Sequence, residues 1–241
     1  MLFRSVIAER AMYRNNRREG HGSLGTKEPA YDFYLAEGTV GWASRFKTYV
    51  LIQNPNDSAT DVQITYQTRN GPVAGPSFTM IPNSRSTILV NDQLPDQTDF
   101  STHIHGSQPI VAERAMYWMA GNAEICHDSI GMDAPHSSFF LPDGQTSNGL
   151  ETWVLVQNPN GSDVEVRISY LTPDGTGNVY KNEVIPANSR KTFDMSDHSH
   201  LNGRAAIKVD SLTPGLPIMV ERAMYWNARG TGTDSIGGYS D

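Results

Sequence analysis

The phrase VAERAMYW, residues 111–118, sets a glutamate beside an arginine inside an apolar run, and the chain carries it three times. IAERAMYR begins at Ile7, VAERAMYW at Val111 and VERAMYWN at Val220. Helix and strand compete for this phrase. Pro109 followed by Ala, Glu, Arg, Ala and Met suits a helix by propensity. The run is short, however, opens Ile-Val, closes Tyr-Trp and soon meets Gly121, which favours a strand. As a strand, Val111, Glu113, Ala115 and Tyr117 share one face, and Ile110, Ala112, Arg114, Met116 and Trp118 share the other. Each face then carries one charge, and the neighbouring Glu and Arg cannot pair with each other.

Working outward from the phrase, the self-similarity extends over most of the chain. YLAEG (34–38) matches FLPDG (140–144), and TYVLIQNPNDSATDVQITYQT (48–68) matches TWVLVQNPNGSDVEVRISYLT (152–172). IPNSRSTILVND matches IPANSRKTFDMSD, and HDSIG (127–131) matches TDSIG (233–237). The period is about 105 residues, the size of a sandwich domain rather than of a solenoid unit. Two complete copies follow, residues 30–135 and 136–241, behind the tail of a truncated copy in residues 1–29.

Within each copy the local signals are those of strands. YVLIQN and WVLVQN stop at Asn-Pro-Asn, a turn in which proline presets φ. In DVQITYQT, Val62, Ile64 and Tyr66 alternate with Gln63, Thr65 and Gln67, the period of a strand with one wet face. RNGP and PDGTG supply hairpin turns, and no long amphipathic helix is found. The expected fold class is all-β: two tandem antiparallel β-sandwich domains of immunoglobulin-like form. The truncated copy leaves an apolar strand without its domain. That strand should lie against the following copy or add to a neighbouring chain, building head-to-tail assemblies.

Bulk composition removes several function classes. A net charge of -7, with no block of Lys and Arg, argues against nucleic-acid binding. No apolar run approaches the roughly 18–20 residues that span a bilayer, so no membrane insertion is expected. Arg4, Glu9 and Arg10 break any secretory h-region at the start. Cys126, the single cysteine, excludes an intrachain disulfide and a four-cysteine zinc site.

The residues LAEG, QNPNDSATDVQITY, IPNSRSTILVND and DFSTHIHGSQPIVAER, in that order, resemble the sensory rhodopsin transducer family of small β-sandwich proteins. The fuller set YLAEG, YVLIQNPN, ERAMYW and HDSIG resembles a repeat module of large bacterial surface proteins. Both resemblances imply a rhodopsin-transducer-like sandwich and an interaction role rather than catalysis. The second implies an extracellular or cell-surface setting, and as partners other copies of the repeat or other surface proteins.

The candidate site residues are the repeated charges. Glu9 with Arg10, Glu113 with Arg114, and Glu221 with Arg222 read as ion pairs that pin strands, or as a ligand site at a sheet surface. A charge buried alone costs several kcal/mol, so the inward member needs a partner. Glu37 and Asp128 are the candidates for Arg114; Asp143 and Asp234 are those for Arg222. Trp42, Trp118 and Trp226 are candidate stacking platforms for glycans, the alternative reading of the function. Glu37 with Glu113 could form a glycosidase pair only across a cleft, and Asp143 replaces the first acid in the second copy. His103 with His105, and His198 with His200, have the spacing of metal ligands on a strand but fall at different places in the two copies. Acidic turns such as NPNDS lack the full ligand series of a calcium loop. His127, Asp128 and Ser129 are adjacent in sequence, whereas a triad converges in space. No catalytic residue, metal or cofactor is expected, and the chain is read as a non-enzyme capable of self-association.

Overall fold

The structure, a computed structural model, describes residues 7–198, 201 and 203–241. Among these the regular elements are strands and two 3₁₀ turns, without an α-helix. The chain opens with a hairpin, β1 (Glu9–Arg14) and β2 (Glu19–Leu24). Asn15, Asn16 and Arg17 turn it with positive φ, a conformation asparagine tolerates better than most residues. The strand of the first ERAMY phrase thus pairs with the GHGSL segment that follows it instead of adding to another sheet.

The first sandwich holds β3 (Ala30–Leu35), β4 (Thr39–Val40), β5 (Lys47–Asn54), β6 (Thr60–Thr68), β7 (Gly71–Met80) and β8 (Ser84–Leu89). Two further strands, β9 (Thr98–Ala120) and β10 (Ala123–Ile130), complete it. One layer pairs β7, β6, the first half of β9 and β3; the other pairs β8, β5, the second half of β9 and β10. A single long β9 thus serves both layers. It changes layer near Gly106, where a Cβ would stand 2.6 Å from the Gln108 carbonyl.

The second sandwich repeats the pairing with β11 (Ser138–Leu141), β12 (Glu151–Asn158), β13 (Val164–Leu171), β14 (Val179–Ile185) and β15 (Ser189–Asp194). It ends with β16 (Ala206–Ser211), β17 (Met219–Trp226), β18 (Thr231–Ile236) and β19 (Gly238–Ser240). Its layers run β14-β13-β16-β11-β19 and β15-β12-β17-β18. Here the counterpart of β9 is split into β16 and β17, because LTPGLP between them places two prolines where ladder donors would stand.

The QNPN stretches do more than end a strand. Buried Asn54 donates to the carbonyls of Ser58 and Ile81, and Asn56 reaches the Pro109 carbonyl at 2.8 Å. Asn158 and Asn160 repeat this with Ser162, Ile185, Pro186 and Pro217. Each motif ties both layers of its sandwich at the crossover.

Phe33, Leu35, Ile52, Ile64 and Phe100 form the first core. The second core, with Phe139, Val156, Ile168 and Val220, continues without a break into Ala36, Phe46, Met116 and Trp118 of the first repeat. The junction between the sandwiches is therefore an apolar layer of its own.

Candidate functional site: a charge relay between repeats

The strand reading of VAERAMYW holds, with the expected alternation. Ile110, Ala112, Arg114, Met116 and Trp118 are all buried on one face of β9, while Val111, Glu113 and Tyr117 on the other are half-buried. The two faces look at different neighbours. Glu113 and Asp128, which lies opposite Ala115 on β10, face the hairpin, where both pair with Arg10. Arg114 faces the second repeat, where it meets Glu221 at 2.6 Å and Asp234 at 2.8 Å. In a strand, consecutive residues point to opposite sides. The adjacent Glu113 and Arg114 thus serve opposite neighbours, the hairpin on one side and the second sandwich on the other.

The first candidate partner of Arg114 is present: Glu37 Oε2 lies at 2.9 Å, and the Glu37 carbonyl accepts from Nη1 at 3.0 Å. The second requires correction. Asp128 serves Arg10 and not Arg114, because it sits opposite Ala115 and shares the hairpin-facing side. The expectations for Arg222 also change. Arg222 takes the backbone carbonyl of Asp143 rather than its carboxylate, and Asp234 belongs to Arg114. Its other donor reaches Ser235 at 2.9 Å. Arg222 thus occupies the same backbone setting as Arg114 without the acids.

The Arg114 cluster is buried throughout, its guanidinium side chain 1% exposed. Burial by itself would lower the pKa of Arg114, but Glu221, Asp234 and Glu37 together raise it well above the usual arginine value. Burial drives Asp234 the other way for an acid: desolvation, then repulsion from Glu221 and Glu37, raises its pKa well above the carboxylate range. Burial thus favours the neutral form of Asp234, and a proton shared with Glu221 would lower the charge that one arginine must neutralise. Glu221 is further held by the backbone amide of Ala36 at 2.8 Å and that of Glu37 at 3.3 Å. Oxygens of Glu37, Glu221 and Asp234 lie within 4.8 Å of one another, a spacing that could hold a metal ion, and the Arg114 guanidinium reaches all three.

A second relay runs beside the first. Tyr225 contacts His127 at 3.3 Å and donates to Glu37 at 3.1 Å. One copy earlier, Tyr117 contacts His21 at 3.2 Å. Desolvation, reinforced by Arg114, pushes the His127 pKa down to about 3 and keeps the ring neutral. Gln157 of the second repeat donates to Gln67 of the first at 2.8 Å. Glu221, Tyr225 and Gln157 escaped notice as junction residues in the sequence, although the Glu/Arg alternation combined with the repeat contains the signal for the first of them.

The aromatic candidates separate. Trp118 is 1% exposed, packs on Phe46 and Tyr225, and donates to the Arg229 carbonyl, so it is a junction residue and no ligand platform. Trp226 is half-buried, and Trp42 is 48% exposed with positive φ. Trp42 and Trp153 line a cleft of about 380 Å³ between the repeats, together with Asp99, Arg190 and Arg229. Arg190 is buried there, with Asp99 3.9 Å away and its Nε without a partner. Glu37 and Glu113 do not form a catalytic pair, since they serve different arginines on opposite faces of β9. His103 and His105 share the Asp32 carboxylate at 2.8 and 3.0 Å. His200 lies outside the described residues. Burial, with Glu19 nearby, raises the Cys126 thiol to about 11, far from a reactive thiolate. Glu9, at the start of β1, is exposed.

No family model and no curated protein matches the chain. Among solved structures it is similar to Thermotoga maritima protein 1070, at 18% identity and TM-score 0.39, over 43% of this chain and 94% of that one. It is also similar to the Anabaena sensory rhodopsin transducer, at 26% identity and TM-score 0.31, over 35% of this chain and 92% of that one. The PBSX exported protein XepA aligns over 81% of this chain and 82% of its own, at 10% identity and TM-score 0.26. The chain is an all-β protein of antiparallel sandwich layers with structural similarity to the Anabaena sensory rhodopsin transducer.

Proposed function

We propose that the chain is a non-catalytic structural and adhesive interaction module of a bacterial repeat protein, its copies stacked head to tail and displayed at the cell surface. The observation that carries this reading is the buried Arg114 cluster, which joins residues of both repeats across an apolar layer. Buried charges of this kind fix one arrangement of two bodies, since every alternative leaves a desolvated charge unpaired. Glu37, Glu113, Glu221 and Asp234 all pair with arginines, which also supports a role without chemistry. Small-angle X-ray scattering tests the reading. The wild-type chain should fit a single arrangement of its two sandwiches, and Glu221→Ala should broaden the distance distribution. Identical curves for the two would sink it.

The inter-repeat cleft favours a second reading, glycan binding. Exposed Trp42 and half-buried Trp153 offer stacking faces, and Arg190 offers unspent donors. A glycan array with the wild-type chain and Trp42→Ala distinguishes the two roles: binding lost in the variant supports the cleft, and a blank array removes it.

A further inference from the structure

We propose that the Arg222 face of the second repeat docks onto the first repeat of a second copy of this chain, at the Glu113–Asp128 pair that Arg10 now occupies, with the β1–β2 hairpin as the displaceable cover of that site. The proposal rests on the stacking role above and adds its partner and its control.

The three ERAMY phrases supply the argument. Arg10 meets Glu113 and Asp128, and Arg114 meets the equivalent Glu221 and Asp234, one repeat further on. Arg222 stands third in this series, held by the Asp143 carbonyl as Arg114 is held by that of Glu37. Among the described residues it has no carboxylate partner, and its Nε is buried and unpaired. Phe140 and Tyr239 are exposed beside β11 and β19 in the same repeat. Arg222 is thus held by a carbonyl and a hydroxyl but has no carboxylate among the described residues.

The acceptor exists at the other end of the molecule, under an incomplete cover. In the second repeat Leu155, Gln157 and Arg190 are buried beneath the first. Their counterparts Leu51, Gln53 and Arg85 line an open groove of about 710 Å³ beside Arg10 and Glu113. The hairpin brings the arginine but not the rest of a sandwich. Among the described residues no backbone amide donates to Glu113, whereas two hold Glu221. The Arg10 side chain stays 38% exposed, and Met12, Tyr13 and Leu24 face solvent. A two-stranded ribbon of this kind is marginal by itself, and partly exposed Arg10 holds Glu113 and Asp128 less firmly than buried Arg114 holds its acids. A complete repeat bearing Arg222 offers the same charge on a whole sandwich. The contact is heterologous, so each docked copy presents a fresh Arg222 and assembly continues in line.

Sedimentation velocity on the full chain across a wide concentration range tests this, with circular dichroism and thermal melting confirming the fold of each variant. Arg10→Ala should associate at about tenfold lower concentration than wild type. Adding Arg222→Glu to it should return the chain to monomer. In the wild-type chain at high concentration, amide exchange across Glu9–Arg14 should quicken as association sets in, a readout independent of any variant. Association that survives Arg222→Glu, or wild-type association that leaves hairpin exchange unchanged, overturns the proposal. A folded Arg10→Ala chain that stays monomeric also overturns it, and leaves the stacking role intact if wild-type scattering still fits one arrangement.

Discussion

Arg114 Nη1 lies 2.6 Å from Glu221 Oε2, although the two residues are 107 positions apart and belong to different repeats. The pair exists because each residue is one half of an adjacent Glu-Arg couple whose side chains leave opposite faces of a strand. Alternation within one copy therefore becomes linkage between copies.

Arg114→Met should destabilise the chain by about 3–5 kcal/mol, because it leaves Glu37, Glu221 and Asp234 buried together without a cation. Chemical denaturation followed by circular dichroism reads the change. An unaltered midpoint would show that the arginine carries no structural load.

The two acids at the junction should respond differently to amidation. The Asp234 pKa is raised by burial and by repulsion from Glu221 and Glu37, so Asp234→Asn mimics the form that the site favours and should change stability little at neutral pH. Glu221 accepts from Arg114 and from the Ala36 amide, so Glu221→Gln should cost several times more. Equal losses in parallel urea titrations would contradict the assignment of the proton.

His127 should add to acid sensitivity. Its pKa is about 3 in the folded chain against an ordinary 6.5, so below 6.5 the unfolded chain takes up a proton that the folded one refuses. Stability should fall as pH drops from 6.5 towards 3, by up to about 1.4 kcal/mol per unit from this group. Asp234 acts in the opposite sense, losing stability as pH rises from 3.8 through its raised pKa. Comparing His127→Gln with wild type isolates the histidine: the variant should show a shallower acid limb in melting temperature against pH.

Asn158→Ala removes three donations to the carbonyls of Ser162, Ile185 and Pro186 and leaves buried acceptors unpaired. A loss of about 2–3 kcal/mol is expected, read by thermal unfolding. Asn54→Ala should lower stability similarly through the equivalent bonds in the first repeat.

Much of the fold was legible in the sequence. Period-two alternation in DVQITYQT and VAERAMYW marks strands, and burial follows it except at Gln67 and Ala115, which are buried on the faces expected to be wetter. The QNPN stretches were recognised as turns, yet their role as a tie between layers depends on carbonyls such as that of Ile81, 27 positions away. Trp118 looked available for a ligand because it ends a strand phrase. Packing against Phe46 and Tyr225 buries it.

By itself the sequence determined which side of each strand every charge would face, since that depends only on backbone geometry and the period of two. Tertiary structure alone decided what each charge would meet. Asp128 and Asp234 were sound partners by type and were assigned to the arginines of their own copies. The sandwiches instead stack so that each acid faces the arginine of the copy before it. Pairing across a junction depends on how two bodies sit against each other, and an apolar layer containing Ala36, Met116 and Trp118 fixes that.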